Sequence, residues 1–155
     1  MDKKPARPAG LSLIAAFWFI YGLVNVCLSF QTISADLEVL PLLSNASGWF
    51  SFGVPAELVL AILVLCLGLL QLIAVPGLWI GKPYSYRLSL IVPALLLVSN
   101  VCSVGLYASA PVELDLGFDA VINLFPLFTN IVWVVVFWQY LRRSYVKTFF
   151  GITKL

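Results

Sequence analysis

Residues 77–91 read GLWIGKPYSYRLSLI. Gly81, Lys82 and Pro83 are a compact turn signal, and they separate two long apolar runs, residues 57–80 and 87–108. Lys82 and Arg87 are the only charged residues between Glu57 and Glu113. Tyr84 and Tyr86 stand beside them. Aromatic and basic residues mixed in this way are typical of a membrane interface. Two apolar runs joined by such a connection read as a helical hairpin that crosses a bilayer and returns.

Working outward, residues 11–31 and 120–141 supply two further apolar runs. Each of the four has about 20 residues or more, enough to span roughly 30 Å of hydrocarbon at about 1.5 Å per residue. The charges then sort by side. All nine Lys and Arg fall on the side of the 81–87 turn: Lys3, Lys4 and Arg7 before the first run, Lys82 and Arg87 in the turn, Arg142, Arg143, Lys147 and Lys154 after the fourth. Six of the seven acidic residues fall on the other: Asp36, Glu38 and Glu57 in one loop, Glu113, Asp115 and Asp119 in the next. Only Asp2 departs from the partition. Cytoplasmic loops are enriched in Lys and Arg. The expected protein is therefore all-α, a four-helix transmembrane bundle in the cell (plasma) membrane. Both termini are cytoplasmic, and residues 1–155 form a single multi-pass membrane domain.

Composition agrees. The 155-residue chain is 62% hydrophobic and 10% charged, with a mean hydropathy of +1.04, whereas soluble domains carry roughly 25% charged residues. The expected partners include membrane lipids, since a basic side favours anionic headgroups, and exclude nucleic acid. The basic start followed by apolar residues looks like a signal peptide. The apolar stretch exceeds a typical h-region and no small-residue cleavage site follows, so it reads as the first span.

Residues 32–56 form the longest loop. Ile33, Leu37 and Leu40 recur at helical spacing with Asp36 and Glu38 off that stripe. Ser34 is a candidate N-cap and Pro41 a candidate stop. A short amphipathic helix over 34–43 is expected in this first exterior loop. The turn-forming SNASG follows, then an aromatic anchor of Trp49, Phe50 and Phe52. Asn45-Ala46-Ser47 is a glycosylation sequon, so Asn45 is a candidate modification site. Pro55 and Glu57 are expected in the first turn of the second span, Pro93 is a candidate kink in the third, and Gly77 and Gly81 make a GxxxG. The tail is expected to continue the fourth helix into the headgroup layer, with Arg143/Lys147 and Tyr145/Phe149 at i, i+4.

Candidate chemistry is confined to amides and hydroxyls. The chain has no His and its only Met is Met1, so no cofactor, metal site or catalytic residue is expected. Cys27, Cys66 and Cys102 read as buried packing residues. Counting about 1.5 Å per residue from the inner ends puts Asn25 and Asn100 at roughly 20 Å, Asn130 near roughly 16 Å and Gln71 near roughly 14 Å. One amide from each helix thus lies at a similar depth. An unpaired amide in hydrocarbon costs several kcal/mol, so Asn25, Gln71, Asn100 and Asn130 are expected to face one another, other helices or a bound molecule.

Three stretches, RPAGLSLIA at 7–15, GLWIGKPYSYRLSLI at 77–91 and YLRRSYVKTFFG at 140–151, resemble a family of small four-span prokaryotic membrane proteins, frequent in archaea. That family has an RP-x-G start, a GLWKGKxWAW-type inner turn and a YLxRPHVKxYF-type tail. Here Tyr84 and Tyr86 stand near the tryptophan positions, and Ser144-Tyr145 replaces Pro-His. The resemblance implies the topology and a prokaryotic membrane, and transfers no catalytic residue. The functional expectation is a non-catalytic accessory or structural subunit, packed against a larger membrane protein complex or self-associating. The alternative is a small transporter, channel, or lipid- or quinone-binding protein that uses the amide layer. An integral membrane enzyme has the least support.

Overall fold

The computed structural model describes residues 6–41, 49–108 and 118–152. Among them the chain is all-helical: α1 (Ala9–Val39), α2 (Trp49–Ile80), α3 (Pro83–Ala108), α4 (Phe118–Leu141) and the short α5 (Ser144–Phe149). Three stretches, Ala9–Val39, Gly53–Ile80 and Pro83–Leu106, are long and apolar enough to cross a membrane, and α4 contributes a shorter apolar stretch, Leu127–Leu141. The glycosylation triplet at Asn45 lies outside the described residues.

The inward faces follow alternating steps of three and four. On α1 the buried set includes Leu11, Ile14, Trp18, Gly22 and Ser29. On α3 it is Ser85, Ser89, Val92, Leu96 and Ser99. This spacing keeps one stripe of a helix against its neighbours. Large apolar side chains cover the outward faces, with Leu13 76% exposed on α1 and Phe128 66% exposed on α4. Cys27, Cys66 and Cys102 are also exposed. The expectation that they pack inside is corrected: each sits on the outward stripe, where its weakly polar thiol behaves like the surrounding Leu and Val.

Helix ends differ from the expected boundaries in three places. The described part of the 34–43 segment, residues 34–41, is not a separate amphipathic helix, because α1 runs unbroken to Val39. Nothing between Gln31 and Val39 breaks a helix, and Ser34 does not cap. Its hydroxyl donates to the Phe30 carbonyl one turn back (2.9 Å), a bond available only in continuous helix. In α2, Pro55 is internal, so Glu57 lies about two turns inside the helix rather than in its first turn. At the C-terminus, the chain breaks at Arg142-Arg143 and α5 turns back, with Val146, Phe149 and Phe150 buried. The expected continuous tail is thereby replaced by a docked one.

The 81–83 turn explains the hairpin. Gly81 has φ +74, and the Lys82 N–H donates to the Gly77 carbonyl at 2.8 Å. This is a Schellman closure with glycine in the left-handed conformation. Pro83 then opens α3 at its first position, where the missing N–H costs nothing. Gly77 and Gly81 serve separate purposes. A Cβ on Gly77 would lie 2.7 Å from Ser85 and Tyr84 of α3, and one on Gly81 would lie 2.8 Å from the Phe149 ring.

Successive helices pack against each other, and the ring closes between α1 and α4 in a different way. At the α1–α2 seam Gly22 meets Gly68 and the backbones nearly touch. The α1 and α4 backbones have no Cα pair within 8 Å among the described residues. Aromatic side chains fill that gap. Phe17 stacks on Trp133 with ring centroids 3.7 Å apart, and Trp18 meets Phe137 at 5.6 Å. Gly10 lies against Tyr140. These pairs rise along α1 as they descend along α4, so the two helices are antiparallel.

Among the described residues the basic and acidic groups lie at opposite ends. Arg7 lies over the Trp79 ring at 4.1 Å and bonds Ser12, while Phe149 covers Gly81. The start of α1, the 81–83 turn and the α4–α5 corner therefore share one basic end. At the opposite end, Asp36 of α1 lies close enough to Glu57 of α2 for their charges to interact.

Candidate functional site

The mid-bundle amides resolve into two pairs and one outlier. Asn25 Nδ2 donates to Gln71 Oε1 at 3.0 Å, joining α1 to α2. The Tyr21 hydroxyl donates to Asn130 Oδ1 at 2.8 Å, joining α1 to α4. Gln71 and Asn130 are buried, at 1% and 4% exposure. Of the four expected amides, only Asn25 and Gln71 bond each other. Asn130 bonds a tyrosine, and its Nδ2 is buried without a partner among the described residues beside a gap of about 10 Å³ lined by Gln71, Tyr21 and Pro93. Asn100 makes no hydrogen bond among the described residues.

Asn100 instead faces an open cleft of about 240 Å³ between α1, α2 and α3. Tyr21, Asn25, Ser29 and Thr32 form the α1 wall, Glu57 stands on the α2 wall, and Ser103 flanks Asn100 on α3. The cleft runs from the amide layer toward the acidic end. It was not anticipated, although a signal was present: positions 21, 25, 29 and 32 step by four, four and three, a polar stripe on one face of an otherwise apolar helix. Asn100 and Ser103 repeat the step on α3.

The hydroxyls on this wall behave unlike the others. Ser34, Ser89, Ser99, Ser103 and Thr148 each donate to a carbonyl three or four residues back in their own helix, at 2.8–3.0 Å. Ser29 is 4% exposed, and neither it nor Thr32 makes such a bond. Chemically the site offers one carboxylate, two amides and unspent hydroxyls, with no cation among its lining residues. It can orient a polar molecule.

No protein-family model matches the chain, and no curated protein or solved structure matches it either.

Proposed function

We propose that this chain is a four-span integral protein of the cell membrane, with both termini cytoplasmic, serving as a non-catalytic accessory or structural subunit of a larger membrane assembly. The observation that carries the reading is the division of polarity. Interior polar groups bond across α1–α2, where Asn25 meets Gln71, and across α1–α4, where Tyr21 meets Asn130, while the outward stripes carry large apolar side chains. A scaffold in hydrocarbon needs that inversion, because unsatisfied polar groups there are costly. The fourth crossing is supported by the 24-residue length of α4, about 36 Å at 1.5 Å per residue, and by its antiparallel register with α1. The basic end then faces the cytoplasm. The resemblance to small four-span prokaryotic proteins supports the same topology.

The topology is tested with single cysteines at Ser47 and Ser144, in a background with Cys27, Cys66 and Cys102 replaced by Ala. An impermeant thiol reagent should reach the two positions from opposite sides, and labelling from one side overturns the reading. The subunit role is tested by crosslinking in native membranes. A discrete larger species is expected, and a monomer alone rejects it. The second reading, a small transporter, channel, or lipid- or quinone-binding protein, is favoured by the polar cleft.

A further inference from the structure

We propose that the α1–α2–α3 cleft is a binding site for a small organic ammonium cation, with the Glu57 carboxylate as counter-ion and Ser29, Thr32, Asn25 and Asn100 as hydrogen-bond acceptors. This goes beyond the subunit role and rests on the four-span reading only for placing the cleft mouth outside.

The lining decides the sign of the ligand. Asn25 spends an Nδ2 hydrogen on Gln71, and its Oδ1 remains as an acceptor for a molecule in the cleft that it lines. Glu57 lines the wall, and Asp36, with one carboxylate oxygen buried and lacking a hydrogen-bond partner, lies within range of its charge. No Lys or Arg lines the cleft. The described basic residues, Arg7, Lys82, Arg87, Arg142, Arg143 and Lys147, belong to the other end of the bundle. An acceptor-rich, cation-free wall with a carboxylate repels anions and matches a donor-rich cation.

The hydroxyls supply the second, independent observation. A serine inside a helix ordinarily satisfies itself on its own backbone, as Ser89, Ser99 and Ser103 do. Ser29 is 4% exposed yet does not. Ser29 lines the cleft without bonding its own helix, so its hydroxyl is available to a ligand. Size follows from volume: about 240 Å³ equals the space of about eight waters at roughly 30 Å³ each. The Tyr21 ring, Leu60 and Val64 offer an apolar body to the ligand's alkyl part, and an aromatic face suits a cation.

The test uses the full chain in detergent or nanodiscs, with butylammonium as probe and butanol and butyrate as neutral and anionic counterparts of similar size. Binding is read by calorimetry and by the shift in thermal unfolding. Saturable binding of butylammonium is expected, at least about tenfold tighter than either counterpart, as loss of a charge-assisted hydrogen bond implies. Glu57→Gln should weaken it about ten- to hundredfold on the same basis. Asn100→Ala removes a side chain with no hydrogen bond among the described residues. It should weaken binding severalfold without lowering the unfolding temperature, and keeps the test valid if Glu57→Gln misfolds. No saturable binding by folded protein, equal binding of butanol or butyrate, or full affinity in both variants overturns the proposal. Because the assay needs no membrane sidedness, its failure is separate from failure of the topology experiment.

Discussion

Gly22 and Gly68 face each other across α1 and α2 so closely that a Cβ on Gly68 would lie 3.1 Å from the Gly22 carbonyl oxygen, and one on Gly22 would lie 3.2 Å from that of Gly68. Backbone cannot move aside as a side-chain tip can. Gly68→Leu should therefore cost about 1–3 kcal/mol through overpacking, despite the better helix propensity of Leu. The comparison is Gly105→Leu on α3, where a Cβ meets nothing within 4 Å. That variant should unfold at or slightly above the parent's denaturant midpoint. If both behave alike in a detergent-micelle titration, the glycine seam is not what brings α1 and α2 together.

The Asn25–Gln71 bond calls for a double-mutant cycle. A coupling energy of about 0.6–2 kcal/mol is expected for Asn25→Leu with Gln71→Leu, since hydrogen bonds between membrane helices are modest. The single variants should not be equivalent. Asn25→Leu strands Gln71, which is 1% exposed, whereas Gln71→Leu leaves Asn25 at the edge of the cleft, where solvent can meet it. Asn25→Leu should be the costlier change, and zero coupling would contradict the pair.

The docked tail makes Gly81 and Phe149 a second testable couple. Gly81→Ala forces a left-handed residue to carry a Cβ, about 1–2 kcal/mol, and drives that Cβ toward the Phe149 ring, 2.8 Å away. Phe149→Ala should cost about 3 kcal/mol as a buried aromatic truncation. Both should speed tryptic cleavage after Arg143. Unchanged cleavage rates would show that α5 is not held by the turn.

Replacing Cys27, Cys66 and Cys102 together with Ala should change stability by no more than about 0.5 kcal/mol per site, as for outward positions generally. All three are exposed. A larger loss, read from the same denaturant titration, would mean that these thiols pack against a partner.

Much of the architecture could be read from the residues. The apolar runs marked four helices, and Gly81-Lys82-Pro83 marked the tightest turn because glycine and proline act through local backbone geometry. Helix ends were less legible. Asp36, Glu38 and Glu57 mark where hydropathy falls, but acidic residues are tolerated in helices, so α1 and α2 continue past the points where apolar character stops. Of the four amides expected to face one another, only Asn25 and Gln71 are paired in the structure. Rise per residue is fixed, whereas the face an amide presents depends on the neighbour's rotation. Asn25 therefore found Gln71, while Asn100 turned to the cleft. Tyr21 was passed over because an aromatic deep in a span reads as packing, yet its hydroxyl binds Asn130. The glycine crossing at 22 and 68 had no local signature, since the partner residues lie 46 positions apart in sequence, as do those of the Asn25–Gln71 bond.

The clasp over Gly81 also sets an order of assembly. Arg7 reaches Trp79 from just ahead of α1, and Phe149 reaches Gly81 from beyond α4. Synthesis proceeds from the N-terminus. The first of these contacts can form as soon as the α1–α2 hairpin is made, but the second must wait until the residues beyond α4 emerge. Until then Tyr86 lacks the Phe150 ring that meets it at 5.5 Å, and the turn that organises the middle of the protein stays uncovered. Phe149 and Phe150 act as a seal that is set only after α4 has been made.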